Sequence, residues 1–402
     1  MVFHKYIRYK EGELRMPGLR RFILLITAVF LTVGGVKVVS AQESIPEFHA
    51  QHVYVMDYET GRCLYEKKGY EKTAMASTTK IMTAIIVLEQ GNLDSITTVS
   101  AKAASTDGSV MHLKKNEKIS VNDLLFGLLI KSGNDAAVAL AEAVSGNVEA
   151  FCQLMNAKAK ALGANDTHFT SPHGLDHDEH YTTARDLAII AAYAMKNDYF
   201  RQIVSTKTTS VNGHYLSNTN DLLWSAEGVE GIKTGYTGNA GRCIVLFINK
   251  NDIQLVGVLL GCDTSEQRSA DGQSMAKYFP GNYSVCDILE AGAVIDTIKS
   301  VKTKTSYVPV IVKEPVRLCL SQKELADINF SKELLPAYEN GVRDGIAAGT
   351  VMGTYYIYTG DRLLYETPLI AAETCVKKEF QDYLKEFFQI WAKNTFSALY
   401  NF

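Results

Sequence analysis

The chain has 402 residues, of which 47% are hydrophobic and 21% charged, and its formal net charge is -3. This composition excludes a disordered chain, and the length predicts two or three domains with large buried cores. The first 41 residues contain seven basic and two acidic side chains, so the remainder is more acidic than the whole. Because nucleic-acid binding requires clustered positive charge, we expect no nucleic acid among its partners.

The N-terminal segment has the pattern of an export signal. Basic residues end at Arg20 and Arg21, an apolar run of 15 residues follows from Phe22 to Val36, and Val39-Ser40-Ala41 fits a small-x-small cleavage site. A membrane helix needs about 20 apolar residues, so the run favours a cleaved signal peptide over residues 1–41. The alternative is an uncleaved N-terminal anchor. Either one exports the rest of the chain.

The seven cysteines predict neither a zinc site nor a disulfide framework. Their number is odd, and none of them forms a Cys-x-x-Cys pair. We therefore expect no metal and no cofactor, and a domain of this size does not need disulfides.

Beyond the signal segment, the pattern alternates between strands and helices. Residues 52–57 and 63–66 flank Glu59-Thr60-Gly61 and predict a hairpin. Ser120 and Asp123 form a predicted capping box, and Thr183 is a predicted helix cap. The helices are expected at about 79–90, 120–131, 135–144 and 183–196.

After Gly231 the pattern becomes richer in strands. Two apolar runs, residues 242–249 and 254–260, surround a Lys250-Asn251-Asp252 turn, and a helix is expected from about 264 to 278. Strands that enclose a group of helices predict an α/β (α+β) domain with helices packed on an antiparallel sheet. We expect this domain to span residues 46–298.

The C-terminal quarter differs in pattern from the rest. Short strands at 307–312, 316–320, 355–359 and 363–365 predict a small all-β domain over residues 300–374. Residues 377–402 predict an amphipathic helix that could lie in a membrane interface or dock on the β domain. Its apolar stripe comprises Phe380, Tyr383, Leu384, Phe387, Phe388 and Trp391.

Three short motifs carry the chemistry: Ser77-Thr78-Thr79-Lys80, Ser132-Gly133-Asn134 and Lys233-Thr234-Gly235. Each is weak alone, since Ser274–Lys277 repeats the first and Ser145–Asn147 the second, but those copies lie in or at the end of predicted helices. By contrast, Ser77 opens an apolar helix, where backbone N–H groups are free, and Lys80 returns to the same face one turn later. Burial, or a second cation such as Lys233, would lower the pKa of Lys80 and let it accept a proton.

This trio occurs in class A β-lactamases and penicillin-binding proteins. Over residues 46–280 the chain resembles the low-molecular-weight penicillin-binding proteins, which are serine D-alanyl-D-alanine carboxypeptidases with a β-lactamase/transpeptidase-like fold. The C-terminal β domain and the amphipathic tail are also similar to that family. The segments of this chain that carry the resemblance are residues 57–61, 132–137, 171–175, 181–187 and 231–237.

The resemblance implies a role for each motif residue. Ser77 would form the acyl-enzyme, Lys80 would be the base, and Ser132 would relay a proton to the leaving amine. Asn134 would hold the substrate amide and Lys80, and Lys233 and Thr234 would bind the terminal carboxylate. Gly235 would also belong to the substrate site. The backbone N–H groups of Ser77 and Tyr236 would form the oxyanion hole.

The same resemblance implies the partners and the location. The substrates would be peptidoglycan stem peptides ending in D-Ala-D-Ala, and β-lactam antibiotics would inhibit the enzyme. The C-terminal helix would bind the membrane, which places the protein on the outer face of the cytoplasmic membrane, at the cell wall.

Three alternative functions remain open. A β-lactamase would need a Glu-x-x-Leu-Asn segment, which this sequence lacks. A non-catalytic wall-binding protein would have no need of the intact trio, and a DD-endopeptidase would not need a carboxylate site. His173, Arg185 and the loop 176–180 are interpreted as structural or solvated.

Overall fold

The computed structural model describes residues 44–343 and 345–399, with side chains up to Thr395. The predicted signal peptide, residues 1–41, lies outside the described residues. The larger part of the structure ends at residue 282, and a 3-10 turn, Ala76–Thr79, leads directly into its first helix. Its elements are β1 (His52–Asp57), β2 (Cys63–Lys67), α1 (Lys80–Gln90), β3 (Ile96–Thr98), α2 (Ala101–Ala104), β4 (Lys118–Ser120), α3 (Val121–Leu129), α4 (Asn134–Ser145), α5 (Val148–Ala161), α6 (Ala184–Ala194), α7 (Asp198–Ser205), β5 (Thr208–Val211), β6 (His214–Ser217), α8 (Leu222–Ser225), β7 (Val229–Thr237), β8 (Gly241–Lys250), β9 (Ile253–Cys262) and α9 (Ser265–Asn282).

A five-stranded antiparallel sheet in the order β2-β1-β9-β8-β7 forms the centre of this part. Side chains along β8 alternate between two buried cores, as the period of a strand requires. Val245 and Phe247 pack in the core shared with α1, α3, α4 and α6, whereas Leu246 and Ile248 pack in the core shared with α9. The predicted antiparallel sheet flanked by helices is therefore confirmed.

Ser120 and Thr183 cap their helices as predicted, but the capping box predicted for Ser120 and Asp123 lacks its reciprocal bond from the Asp123 side chain. The Ser120 side chain accepts a hydrogen bond from the Asp123 N–H at 2.9 Å, and Thr183 accepts one from the Asp186 N–H at 3.0 Å. Helix α4 ends at Ser145 and is followed by Gly146, whose φ of +79° is the left-handed conformation common after helices. Local side-chain chemistry thus sets these helix ends.

The second part begins directly after α9 and is rich in strands. Its elements are β10 (Tyr283–Leu289), β11 (Val294–Lys299), β12 (Tyr307–Val312), β13 (Val316–Ser321), α10 (Gln322–Ala326), β14 (Ile328–Leu334), β15 (Val351–Thr359) and β16 (Arg362–Ala371), followed by the tail helix α11 (Phe380–Leu399). The main sheet has the order β11-β12-β16-β15-β14, and β10 pairs with β13. The sequence placed a boundary near residue 298, inside β11. Because β10 and β11 pair with later strands, we propose a boundary at Tyr283 instead.

A buried group of charged side chains joins the two parts. Arg62, in the turn between β1 and β2, donates a hydrogen bond to Glu324 at 2.8 Å and another to the carbonyl of Cys319. Glu324 also pairs with Arg362 and accepts a hydrogen bond from the Ser321 N–H at the start of α10. Both charged partners of the first pair are nearly buried, so their contact is shielded from water.

The apolar stripe of α11 faces solvent. Phe387, Phe388 and Trp391 are 58–62% exposed, and Phe380 is 75% exposed. The stripe therefore does not dock on the β-rich part, although Lys304 pairs with Asp382 at the start of the helix. Within the described part of the chain, no helix has both the length and the hydrophobicity needed to cross a membrane.

Candidate active site

The first two motifs meet at the buried amino group of Lys80. Its Nζ lies 2.8 Å from Ser77 Oγ and 2.7 Å from Asn134 Oδ1. Lys80 begins α1, Asn134 begins α4, and both side chains are buried, whereas Ser77 is half-buried. The serine hydroxyl is therefore accessible while the lysine beside it is enclosed.

A third contact completes the surroundings of Lys80. Its Nζ lies 2.9 Å from the carbonyl oxygen of His173. The carbonyl of His173 and Oδ1 of Asn134 can only accept hydrogen bonds. A neutral amine would donate its two hydrogens to them and direct its lone pair at the Ser77 hydroxyl. A proton can therefore pass from Ser77 to Lys80.

Burial favours the neutral form of Lys80. It lowers the pKa of Lys80 well below its ordinary value, and the positive charge of Lys233 lowers it further, whereas Asp135 opposes the shift. The arrangement therefore favours an unprotonated amine, which can act as a base, next to the Ser77 hydroxyl.

Strand β7 brings the third motif alongside Ser77. A Cβ added to Gly235 would lie 3.0 Å from the Ser77 nitrogen and 3.0 Å from the Ala76 Cβ. A side chain at residue 235 would therefore crowd the Ser77 N–H, and the glycine leaves this N–H open.

Lys233 and Thr234 lie directly before Gly235 in the middle of β7 and form a polar patch there. Lys233 is buried, and its Nζ donates a hydrogen bond to the carbonyl of Thr234 at 3.0 Å. The hydroxyls of Thr234 and Thr219 lie 2.6 Å apart. Burial lowers the pKa of Lys233 to about 7, and the charge of Arg268 contributes. When the Lys233 amino group is charged, its N–H donors are not all matched by nearby acceptors, and it can therefore attract an anion.

The remaining predicted residues differ in exposure. Ser132 is buried two residues before Asn134, with a φ of +63°. The Nδ2 of Asn134 donates to the Asp107 carbonyl at 2.6 Å, so its Oδ1 must be the atom that faces Lys80. Tyr236 is 55% exposed, and the Arg242 guanidinium lies 3.6 Å from the centre of its ring. All eight predicted residues thus lie on these three adjoining segments.

Sequence reasoning missed several contributors to the site. His173 was interpreted as structural, but its carbonyl contacts Lys80, and Thr219 and Arg268 were not considered. The loop 176–180 was predicted to be solvated, which is wrong for His180, because this side chain is only 4% exposed. Arg185 pairs with its neighbour Asp186 at 3.0 Å, in keeping with a helix-face role. No spacing in the sequence marks a backbone carbonyl or a buried loop histidine.

Comparison with known proteins places this geometry in a family. A model described as D-alanyl-D-alanine carboxypeptidase matches residues 38–264, and one described as the C-terminal domain of penicillin-binding protein 5 matches residues 283–377. The D-alanyl-D-alanine carboxypeptidase DacF of Bacillus subtilis is 32% identical over 355 residues, which are 86% of this chain and 90% of that relative. The chain belongs to the D-alanyl-D-alanine carboxypeptidase family of serine hydrolases.

Solved structures agree with this assignment. Penicillin binding protein 5 from Haemophilus influenzae has a TM-score of 0.75 at 29% identity, and the match covers 83% of this chain and 100% of that one. A serine-to-alanine mutant of the Streptomyces K15 DD-transpeptidase has a TM-score of 0.56 at 34% identity, covering 58% of this chain and 98% of that one. The family resemblance, the fold class and the assignment as a serine-type D-Ala-D-Ala carboxypeptidase are therefore confirmed.

Proposed function

We propose that the protein removes the terminal D-alanine from peptidoglycan stem peptides through an acyl-enzyme on Ser77. The observation that carries this proposal is the position of Lys80, whose Nζ lies 2.8 Å from Ser77 Oγ while two acceptors occupy its N–H groups. This geometry supplies a nucleophile and its base, as covalent catalysis at a hydroxyl requires.

In acylation, Lys80 takes the proton of Ser77 as Oγ attacks the carbonyl between the last two D-alanines. The N–H groups of Ser77 and Tyr236 stabilise the negative oxygen of the tetrahedral intermediate. Ser132 passes the proton from Lys80 to the leaving amine, the C–N bond breaks, and D-alanine departs. Water then hydrolyses the ester and restores Ser77.

The substrate is held at both sides of the reacting bond. Lys233 and Thr234 bind the terminal carboxylate, Gly235 leaves room for the substrate backbone, and Asn134 holds an amide of the peptide. A carboxypeptidase requires such a carboxylate site, and an endopeptidase does not. This difference separates the two candidate activities.

The test compares two peptides that differ only at their C-terminus. D-alanine release from a peptide ending in a free D-Ala-D-Ala carboxylate should exceed release of D-alanine amide from its C-terminal amide by at least about 100-fold in kcat/KM. We base this figure on the cost of about 3 kcal/mol for leaving a buried charge unpaired. Equal rates on the two peptides would contradict the carboxylate role of Lys233 and favour an endopeptidase.

β-Lactams acylate the same serine and act as inhibitors in this proposal. The acyl-enzyme is long-lived, because the sequence lacks the Glu-x-x-Leu-Asn segment that a β-lactamase uses for deacylation. Turnover of penicillin at a rate comparable to peptide hydrolysis would instead support the β-lactamase alternative.

We also propose that the protein works outside the cytoplasm, at the outer face of the membrane. The export pattern of residues 1–41 supports secretion. The exposed aromatic stripe of α11 supports insertion into a membrane interface, in which apolar burial rather than charge provides the attraction.

A further inference from the structure

Behind the turn that carries Ser77 lies a buried histidine that takes no part in the proposed chemistry. The Nε2 of His180 lies 2.7 Å from the hydroxyl oxygen of Thr79, which in turn lies 2.8 Å from the carbonyl oxygen of Ala76. Both side chains are buried. The loop that follows the 171–175 segment is therefore connected to the residue directly before Ser77.

The direction of these hydrogen bonds follows from the other ring nitrogen. The Thr170 N–H donates to His180 Nδ1 at 3.0 Å, and a backbone N–H can only donate. Nδ1 must therefore be unprotonated, and a neutral ring carries its hydrogen on Nε2. His180 then donates to Thr79, and Thr79 donates its own hydrogen to the carbonyl of Ala76.

The ring remains neutral at working pH. Burial lowers the pKa of His180 to about 4, and the neighbouring His168 and His177 also lower it, whereas Asp176 raises it. Protonation would set a second N–H against the Thr170 N–H, and this repulsion opposes the charged form.

A peptide unit is planar and normally trans, so its C=O and N–H point in opposite directions. The carbonyl of Ala76 and the N–H of Ser77 belong to one such unit. We propose that His180, acting through Thr79, is a positioning residue that fixes this peptide plane and so aims the Ser77 N–H into the oxyanion hole. This inference rests on the proposed role of that N–H.

The turn needs such support because its backbone conformation is unfavourable. Ala76 has a φ of +49°, a left-handed conformation that residues with a Cβ rarely adopt. Gly174 packs closely against the same carbonyl. A Cβ at residue 174 would lie 2.0 Å from the Ala76 oxygen and 2.6 Å from the Thr79 hydroxyl. The hydrogen bond from Thr79 and the close packing of Gly174 thus act together to hold the Ala76 carbonyl in place.

The test separates binding from acylation at Thr79. Thr79→Val keeps the shape of the side chain and removes the hydroxyl, whereas Thr79→Ser keeps the hydroxyl. Loss of one oxyanion donor costs about 10²–10³-fold in rate. A Ser77 N–H that points away from its correct direction would lose only part of this contribution, so we expect Thr79→Val to slow acylation by penicillin about 10-fold or more. The dissociation constant of the non-covalent complex should not change. Thr79→Ser should restore the rate to within about threefold.

Thr78 provides a matched control, because its buried hydroxyl donates to the carbonyl of Met75 at 2.6 Å, one peptide unit before. The free energy of unfolding should fall by a similar amount in Thr78→Val and Thr79→Val, whereas the acylation rate of Thr78→Val should stay within about threefold of the wild-type rate. His180→Leu should slow acylation to the same extent as Thr79→Val, and the double variant should be no slower than either.

Two results would overturn the inference: a wild-type acylation rate in Thr79→Val, or additive losses in the double variant. If His180→Leu fails to fold, the Thr79 pair still decides the question. If the wild-type protein itself is not acylated, the proposed function fails instead, so the two failures are distinguishable.

Discussion

Lys80 and Lys233 are two lysines buried in one site, and the proposed mechanism requires them to be in opposite charge states. Lys80 must be neutral to accept the Ser77 proton, whereas Lys233 must be charged to bind a carboxylate. The positive charge of Lys233 lowers the pKa of Lys80, in addition to the larger effect of burial. In this mechanism, the residue proposed to bind the carboxylate therefore also helps to keep the proposed base neutral.

This coupling predicts a shift in the pH dependence of acylation. Removing the charge in Lys233→Ala lets Lys80 hold its proton more tightly, so the pKa of Lys80 rises. Acylation requires neutral Lys80, and the acidic limb of its pH profile should therefore move to higher pH. The measurement is the second-order rate constant of penicillin acylation across pH in wild type and variant.

Lys233→Arg is the matched control, because it keeps a positive charge at the same position. Its acidic limb should coincide with that of the wild type even where its absolute rate is lower. An unshifted acidic limb in Lys233→Ala would show that Lys233 does not tune Lys80.

At the residue scale, the sequence predicted the polar groups but not what positions them. Ser77, Lys80 and Lys233 were predicted from the order and context of the three motifs, because each of these residues belongs to a short motif that can be recognised in the sequence. The His173 carbonyl and the His180 ring were missed, since their contacts depend on how the loop 171–180 returns to the Ser77 turn. These two contacts can be seen only in the three-dimensional structure.

At the scale of elements, local chemistry predicted most of the larger part. Helix caps and apolar runs predicted α1, α3, α4, α6, β8 and β9. Helices α5 and α7 and strand β14 were not predicted. The polar Lys332 interrupts the alternation of apolar and polar residues in β14, and all five central residues of the strand are exposed.

The junction between the two parts offers a test at this scale. Arg62 donates to Glu324 within a nearly buried pair, and a hydrogen bond to a charged group contributes about 1.5–3 kcal/mol. We expect Arg62→Met to lower the free energy of unfolding by about this amount in urea titrations. Arg317→Met is the control, because its ion pair with Asp287 is exposed and contributes less than about 1 kcal/mol.

The effect of Arg62→Met should depend on pH. Burial raises the pKa of Glu324, but the hydrogen bonds from Arg62 and Ser321 outweigh it and hold the pKa below its ordinary value. The stabilisation is therefore complete above the unfolded pKa, about 4.3, and disappears as pH falls through the folded pKa. Equal effects of the two variants at pH 7 would contradict a structural role for the junction.

At the scale of the whole molecule, the sequence predicted a sheet domain, a β domain and a tail helix in the correct order. It placed the start of the β-rich part later than the boundary that we propose at Tyr283, because β10 and β11 mix polar and apolar residues and give no clear strand pattern. The tail was predicted from its periodicity alone, and the structure leaves the resulting stripe unpacked.

Deleting residues 377–402 from a chain that already lacks residues 1–41 should abolish binding to lipid vesicles. Peptide hydrolysis should continue within about twofold, because none of the described side chains of α11 is among the residues of the proposed site. Vesicle sedimentation measures the first effect, and we expect it to be insensitive to salt, since apolar burial dominates.

Phe387→Ser in the full-length tail should weaken vesicle binding, whereas Lys385→Ser, on the other face of α11, should not. Continued sedimentation of the truncated protein with vesicles would contradict the membrane role of the helix.

The most direct test of the account is the covalent adduct at Ser77. Wild type and Ser77→Ala would be incubated with a fluorescent penicillin and assayed in parallel for D-alanine release from a peptide ending in D-Ala-D-Ala. Thermal unfolding would verify that both proteins are folded. We predict labelling and release by the wild type and neither by the variant. Labelling of Ser77→Ala, or an unlabelled but folded wild type, would contradict the assignment of Ser77 as the nucleophile.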